Sequence, residues 1–386
     1  MESPVTLSLL AVALLLMAGC TQQQVENRPE TDTNYYLFVG TYTGEGSDGI
    51  YLYEFNSEDG SVIPVDTAKG ISNPSYLTLT PDHSFLYAVN EEADSADASV
   101  SAFSFDKENA EITFLNKQSS RGGAPCYVST DQSGKAVFVG NYLGGSLAMF
   151  PVEEDGSLAD PKSTTVHEGS SVNENRQNSP HVHCTVISPD NKTLFVTDLG
   201  TDTVTGYAFD SDSLTLQNTP STIFVTEPGA GPRHLTFHPG GEYAYLVNEL
   251  NGTVVAFSYD GESLVELQTI STLPENYEGS FSGADIHVSA DGRFLYTSNR
   301  EDLNNIVIYS IDQNSGLLKK VGEHSSGGAH PRNFMIDPSG SFLLVANRNT
   351  DNIVIFARDQ ESGLISPTGT EVSVSQPVSL QMVPID

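Results

Sequence analysis

The chain has 386 residues, with 17 Lys plus Arg against 50 Asp plus Glu and a formal charge of −33. That charge excludes nucleic acid as a partner, because its phosphates would be repelled, and it disfavours adhesion to anionic lipid by charge alone. The carboxylates are scattered through many turns (Glu58, Asp59, Asp94, Glu153, Glu154, Asp155, Asp210, Asp212), so the expected surface is uniformly acidic, as suits saline surroundings. Any arginine placed at a site therefore stands out.

Leu9 to Met17 is an apolar run too short to span a bilayer, and residues 1–19 read as a signal peptide. Its end, Leu16-Met17-Ala18-Gly19-Cys20, resembles the lipobox of bacterial lipoproteins. The resemblance implies cleavage before Cys20, a lipid on Cys20 and an envelope location, periplasmic or at the cell surface. The leader departs from that pattern in having Glu2 and no Lys or Arg ahead of the run. Residues 20–34 are polar and aperiodic, a flexible tether. The remaining body, residues 35–386, is large enough for one big β domain and has no second apolar run. Cys126 and Cys184 sit early in predicted strands beside apolar neighbours, where buried free thiols are expected. No CxxC or metal-spaced Cys/His set occurs, so no structural zinc or covalent haem is expected.

One phrase then recurs: a strand, a Pro/Asp/Gly turn, a second strand ending in Asn or Asp, and a third strand. Its copies begin at Pro74, Pro125, Pro180, Pro232, Ala284 and Pro331, about 47 to 55 residues apart, a spacing that suits propeller blades. Third strands are predicted at residues 99–105, 146–151, 203–209, 253–259, 306–311 and 353–357. Weaker fourth strands such as residues 111–115 follow, and no convincing amphipathic helix intervenes. The ends supply a split seventh unit. Tyr36 to Thr41 and Gly49 to Phe55 read as second and third strands without a first, and Pro377 to Val383 as a first strand with nothing after it. Joining them closes a ring and removes the exposed edge. The predicted fold is all-β, a seven-bladed propeller of four-stranded antiparallel blades in one domain.

In such a ring the start of each first strand and the loop after each second strand open on one face, around the channel. Asn90, Asn141, Asp198, Asn248, Asn299 and Asn347 recur at the ends of second strands and are best explained by turn chemistry. Asn248 is kept as a substrate-binding candidate because of its neighbours. The groups that do not recur are more telling: His181 and His183; Arg233, His234 and Glu249; Asp285 and His287; Arg300; Arg332 and Arg348; and Glu91. Four arginines at one opening of so acidic a chain point to an anionic ligand, carboxylate or phosphate. His83, His238 and His324 fall in predicted turns away from the channel and are read as surface residues.

The stretches Gly229 to Pro239, Tyr243 to Asn251 and Ala284 to Gly292 resemble the lactonase propeller family, typified by bacterial 6-phosphogluconolactonase and the fungal carboxy-muconate lactonising enzyme. The resemblance runs through nearly the whole body. It implies a cleft with a His, two Arg and a Glu as functional groups, here His183, Arg233, Glu249 and Arg300. His181, His234, Asn248, Asp285, His287 and Arg332 are the expected substrate-binding residues around them. The implied reaction is hydrolysis of a small, anionic, sugar-type lactone by activated water, with no cofactor and no required metal. Either Glu249 or His183 would serve as base and the other as acid, with Arg233 facing the oxyanion or the substrate's anionic group and Arg300 clamping a distal acid. No Gly-x-Ser-x-Gly elbow suggests a serine nucleophile. The lipoprotein-like leader is foreign to the cytoplasmic sugar-phosphate enzyme, which leaves the lactone itself open. A lipid-anchored binding propeller and a muconate-type cyclase are the competing readings.

Overall fold

The structure, a computed structural model, describes Met1, residues 34–44 and residues 46–385. Cys20, the leader apart from Met1 and nearly all of the 20–34 tether lie outside the described residues. Seven antiparallel sheets form the seven blades. From the inner strand outward, six of them run as Leu77–Leu79 to Glu111–Ser119, Pro125–Thr130 to Ser163–Val166, Val182–Ile187 to Thr222–Val225, Pro232–Phe237 to Leu264–Ser271, Gly283–Val288 to Leu318–Ser325, and Pro331–Ile336 to Ile365–Ser373. The seventh is composite: Pro377–Pro384 pairs with Asn34–Thr41, which continues into Gly49–Asn56 and Val62–Lys69. The predicted ring closure is therefore present. Leu77 donates its N–H to Ser379 Oγ (3.1 Å) on one side of the closing strand, and Leu380 donates its own to Asn333 Oδ1 (2.8 Å) on the other.

Two details differ from the sequence reading. The outermost position of the Val182–Ile187 blade is shared by two short strands, Thr215–Leu216 and Thr222–Val225, both paired with Thr203–Asp210. His324 lies in the outer strand Leu318–Ser325 and not in a turn. Helix is confined, among the described residues, to one 3₁₀ turn, Arg348–Thr350.

Alternation explains the packing. Along Asn34–Thr41, Tyr35, Leu37 and Val39 pack on Phe342, Leu344 and Ala346 of one neighbouring blade, while Tyr36 and Phe38 pack on Leu77, Leu86 and Phe103 of the other. Strands buried on both faces read as nearly continuous apolar runs, which is why the second strands were so conspicuous. A hydrophobic cluster of this kind fills each of the seven interblade seams, including the seam across the closure. Cys126 and Cys184 are buried free thiols, as expected.

Candidate functional site

The inner strands share an irregularity that builds the site. Their register slips by one residue near the start, between Pro125/Tyr127, Val182/Cys184, Pro232/His234, Gly283/Ile286, Pro331/Asn333 and, in the closing strand, where Thr41 pairs Pro377 and Gly40 pairs Ser379. A bulged residue is left out of the ladder and re-aimed. The residues so released are Cys126, His183, Arg233 and Arg332, with Ala284 and Val378 at the matching places. The ring of bulges thus turns an ordinary strand start into a ring of functional groups.

Arg233 is 1 % exposed and is held on three sides. Its Nε donates to Glu249 Oε2 (3.0 Å), and Nη1 donates to Ala284 O and to His234 Nε2 (3.2 Å). Nη2 makes no hydrogen bond among the described residues and is the end free for a ligand. Glu249 follows the second strand of the same blade, and its N–H bonds to Gly231 O (2.7 Å), so the hairpin itself joins the two residues. Two further arginines reach that carboxylate: Arg300 Nη2 lies 3.0 Å from Oε2, and Arg176 Nη2 donates to Oε1 at 2.6 Å. Burial alone would raise the Glu249 carboxyl, but Arg300, Arg233 and Arg176 together hold it far below the ordinary carboxylate range. Burial, opposed by Glu249 and reinforced by Arg233 and Arg332, brings Arg300 down to about 10. Arg300 also donates to Ser282 Oγ (2.5 Å) and Gly283 O (2.8 Å).

His183 is buried beside this group, edge-on to His234 (5.2 Å between centroids) and to Tyr142 (5.6 Å), with Nδ1 3.8 Å from Cys126 Sγ. Burial, then Arg233 and His234, push its pKa well below the usual imidazole value, so the ring is neutral at neutral pH. His234 is neutral for the same reasons, lowered by burial and Arg233 to about 4. His181 stacks flat on Tyr142 (4.4 Å) and bonds through Nδ1 to Tyr142 O (2.9 Å).

Three of the expected residues make no hydrogen bond to the Arg233 side chain. Asp285 and His287 do not join Arg233 at the channel mouth. In register, Ala284 holds the place of Arg233, Asp285 that of His234, and His287 lies two residues further down the strand. Asp285 is a buried anchor that accepts from His234 Nδ1 (2.7 Å), His287 Nε2 (2.9 Å), Asn333 Nδ2 (2.5 Å) and two backbone N–H groups. Burial would raise its carboxyl; His287 and His234 keep it below its ordinary value. Asn248 donates to Thr253 Oγ1 (2.9 Å) within its own blade and makes no hydrogen bond to the arginine group, while its buried Oδ1 has no partner among the described residues.

Sequence reasoning missed two residues here. Arg176 sits on the connection between Ser163–Val166 and Val182–Ile187, the longest between an outer strand and the next inner strand, and also donates to Tyr142 OH (3.1 Å). His330 precedes the inner strand Pro331–Ile336 and takes left-handed backbone angles (φ 63°). The signal available for both was scarcity: only nine arginines and nine histidines exist in the chain. Among the described residues no group of three or more His, Cys, Asp or Glu side chains could hold a metal ion.

Five of the nine arginines, Arg176, Arg233, Arg300, Arg332 and Arg348, thus stand near buried neutral imidazoles. The chain belongs to the lactonase, seven-bladed β-propeller family, whose model matches residues 36–382, and by that membership it is a lactonase, a carboxylic ester hydrolase. It is 38% identical over 321 residues to the 6-phosphogluconolactonase of Bacillus subtilis, covering 82% of this chain and 89% of the relative. It is 37% identical to the 6-phosphogluconolactonase of Formosa agariphila over 81% of this chain and 89% of the relative. Among solved structures, the periplasmic gluconolactonase of Pseudomonas aeruginosa superposes with a TM-score of 0.87 at 39% identity, covering 92% of this chain and 100% of that one.

Proposed function

We propose that the protein hydrolyses a sugar-derived lactone carrying negative charge, by attack of water in the pocket formed by His183, Arg233, Glu249 and Arg300. The observation that carries this reading is the arginine-bound Glu249. A carboxylate gripped by three guanidinium groups has little basicity left, so the proton of the attacking water goes to neutral His183. Burial, the main cause, and then Arg233, His234 and Arg332 hold the His183 pKa down, and an anionic substrate, by offsetting the arginine fields, raises it. Arg233, with Nη2 free, faces the oxyanion of the tetrahedral intermediate; Glu249 fixes the planes of Arg233 and Arg300 so that no reorganisation is needed as charge develops. The imidazolium so formed returns its proton to the departing ring oxygen. Relatives named for 6-phosphogluconolactone and for gluconolactone, at 37–39% identity, support this substrate class.

The test is hydrolysis of freshly prepared 6-phosphogluconolactone and glucono-δ-lactone against the spontaneous rate, beside Arg233→Ala. Acceleration that collapses in the variant supports the reading; rates equal to spontaneous hydrolysis on both lactones overturn it.

We further propose that residues 1–19 are a leader removed before Cys20, that Cys20 carries lipid, and that residues 20–34 tether the propeller at the cell envelope. The lipobox-like end of the leader and the periplasmic relative support this. Labelling with a radiolabelled fatty acid that disappears in Cys20→Ser supports it; equal labelling of both proteins rules it out.

A further inference from the structure

Near the Glu249 group stands a second basic cluster, to which the hydrolytic step assigns no ligand contact. Its centre is the ring of Tyr42, with the guanidinium of Arg348 4.6 Å from the ring centroid and that of Arg332 5.6 Å away. Arg348 is half-buried, yet among the described residues it has no ion pair and no side-chain hydrogen bond; the ring is its one contact of that kind. Arg332 approaches Glu91 Oε2 only at 3.7 Å, and Glu91 already accepts hydrogen bonds from Tyr42 OH (2.9 Å) and from Ser75 Oγ. His330 stands beside them: the Arg348 N–H bonds to His330 O (3.1 Å), and the His330 N–H bonds to Asn304 Oδ1 (2.7 Å). The imidazole Nε2 of His330 is buried without a partner, and Nδ1 is 3.9 Å from the half-exposed Glu301. Burial and the fields of Arg300, Arg332, Arg348 and Arg233 all act on this one ring, which places it where the arginines converge.

Charge bookkeeping then narrows the ligand. Five arginines (Arg176, Arg233, Arg300, Arg332, Arg348) meet the buried carboxylates of Glu249 and Asp285 and the partly buried Glu91, leaving a surplus of two positive charges, or one if Glu301 is counted. A chain with 50 acidic residues had ample means to neutralise them and did not. The ring of an unphosphorylated sugar lactone carries no charge to offset that surplus, whereas a phosphate monoester brings close to two negative charges and three acceptor oxygens. Guanidinium groups lying on an aromatic face keep their N–H edges free for such a fork.

We infer that the corner formed by Tyr42, His330, Arg332 and Arg348 is a second anion subsite that takes the phosphate ester of the lactone, and that Arg348 is the residue that selects phosphorylated over unphosphorylated substrate. The inference rests on the lactonase reading above and adds to it a residue-level account of which lactone is preferred.

The experiment measures kcat/KM of the full chain for 6-phosphogluconolactone and glucono-δ-lactone, in wild type, Arg348→Ala and Arg348→Lys. It is accompanied by calorimetric titration with 6-phosphogluconate, gluconate and inorganic phosphate. Wild type should prefer the phosphorylated lactone, and Arg348→Ala should lower that preference at least about tenfold, through KM. Arg348→Lys should recover part of it, which a merely structural role would not produce. An unchanged preference ratio in Arg348→Ala, or a wild type that favours the unphosphorylated lactone, overturns the inference while leaving the lactonase reading intact. Turnover of neither lactone overturns that reading instead, and the titration then decides the subsite: 6-phosphogluconate binding more tightly than gluconate and weakened in Arg348→Ala supports it. Equal affinity for those two acids, or inorganic phosphate binding at least as tightly as the ester, overturns it.

Discussion

Arg233 and Glu249 stand at the two ends of one hairpin, and the N–H of Nε on the first meets Oε2 of the second at 3.0 Å with both side chains buried. Two more arginines complete the grip on the carboxylate. A base that must collect a proton is poorly served by three bound cations, whereas a clamp that must hold guanidinium groups in place is served well. Glu249→Gln should therefore fail in stability as well as rate. Leaving Arg233 and Arg300 buried without their counter-charge should cost about 3 to 5 kcal/mol of unfolding free energy. Urea denaturation of the two proteins measures this. A variant as stable as wild type but slow would return the base role to Glu249.

In the proposed mechanism His183 carries the proton instead. Its replacement by Gln keeps an amide in the bulge and removes the basic nitrogen. Turnover on the preferred lactone should fall at least about a hundredfold, with KM little changed. Steady-state kinetics on both lactones test this, and a loss confined to KM would make His183 a binding residue only.

The buried neutral imidazoles predict how stability follows pH. His234, with its folded pKa pushed down to about 4, binds its proton less readily than in the unfolded chain, where 6.5 applies. Below pH 6.5 the unfolded state takes up the proton first, so stability is full above that value and drains away as the pH falls toward 4. For His234 alone the loss from pH 7 to 4.5 is about 2 to 3 kcal/mol. His330, lowered to about 3, acts in the same direction. Titration of the acidic surface opposes the trend by relieving repulsion, so the comparison must be between variants. His330→Gln should lose less unfolding free energy between these pH values than wild type does, and equal losses would exclude this histidine from the effect.

How far the chain could be read in advance follows from what repeats. Second strands such as Phe342–Asn347, buried on both faces, announced themselves as apolar runs, and the unpaired ends at Asn34–Thr41 and Pro377–Pro384 called for each other. Comparing blades also found His183, Arg233 and Arg332, because a shared bulge puts functional variety at one repeated position. The bulge also misled. One extra residue in a strand of period two exchanges faces and levels, so Asp285, a neighbour of Arg233 by spacing, stands one level deeper beside His234. Arg176 comes from the longest connection between an outer strand and the next inner strand, and His330 from the left-handed residue before an inner-strand proline, a place that Asn73, Ala124, Gly231 and Gln376 hold in other blades without an ionisable group.

Asp285 gives the last prediction. Its Oδ1 accepts the Nδ1 proton of His234, which leaves Nε2 of that ring to accept from Arg233 Nη1 at 3.2 Å. The carboxylate thus touches Arg233 at second hand: it sets the tautomer of His234, and in the proposed mechanism His234 steers the guanidinium toward the place where the oxyanion forms. Asp285→Asn can offer either an oxygen or an amide to His234, so the tautomer is no longer fixed and Arg233 loses one of its supports. Turnover should fall about tenfold or more, while KM, set by Arg300 and the second basic cluster, changes little. The variant should also lose stability, since five donors converge on that carboxylate. The decisive readout is the Nδ1 and Nε2 chemical shifts of His234 in ¹⁵N-labelled protein. A mixture of tautomers in Asp285→Asn against a single one in wild type is the expected result, and a single unchanged tautomer with unchanged kcat would show that Asp285 holds only the fold.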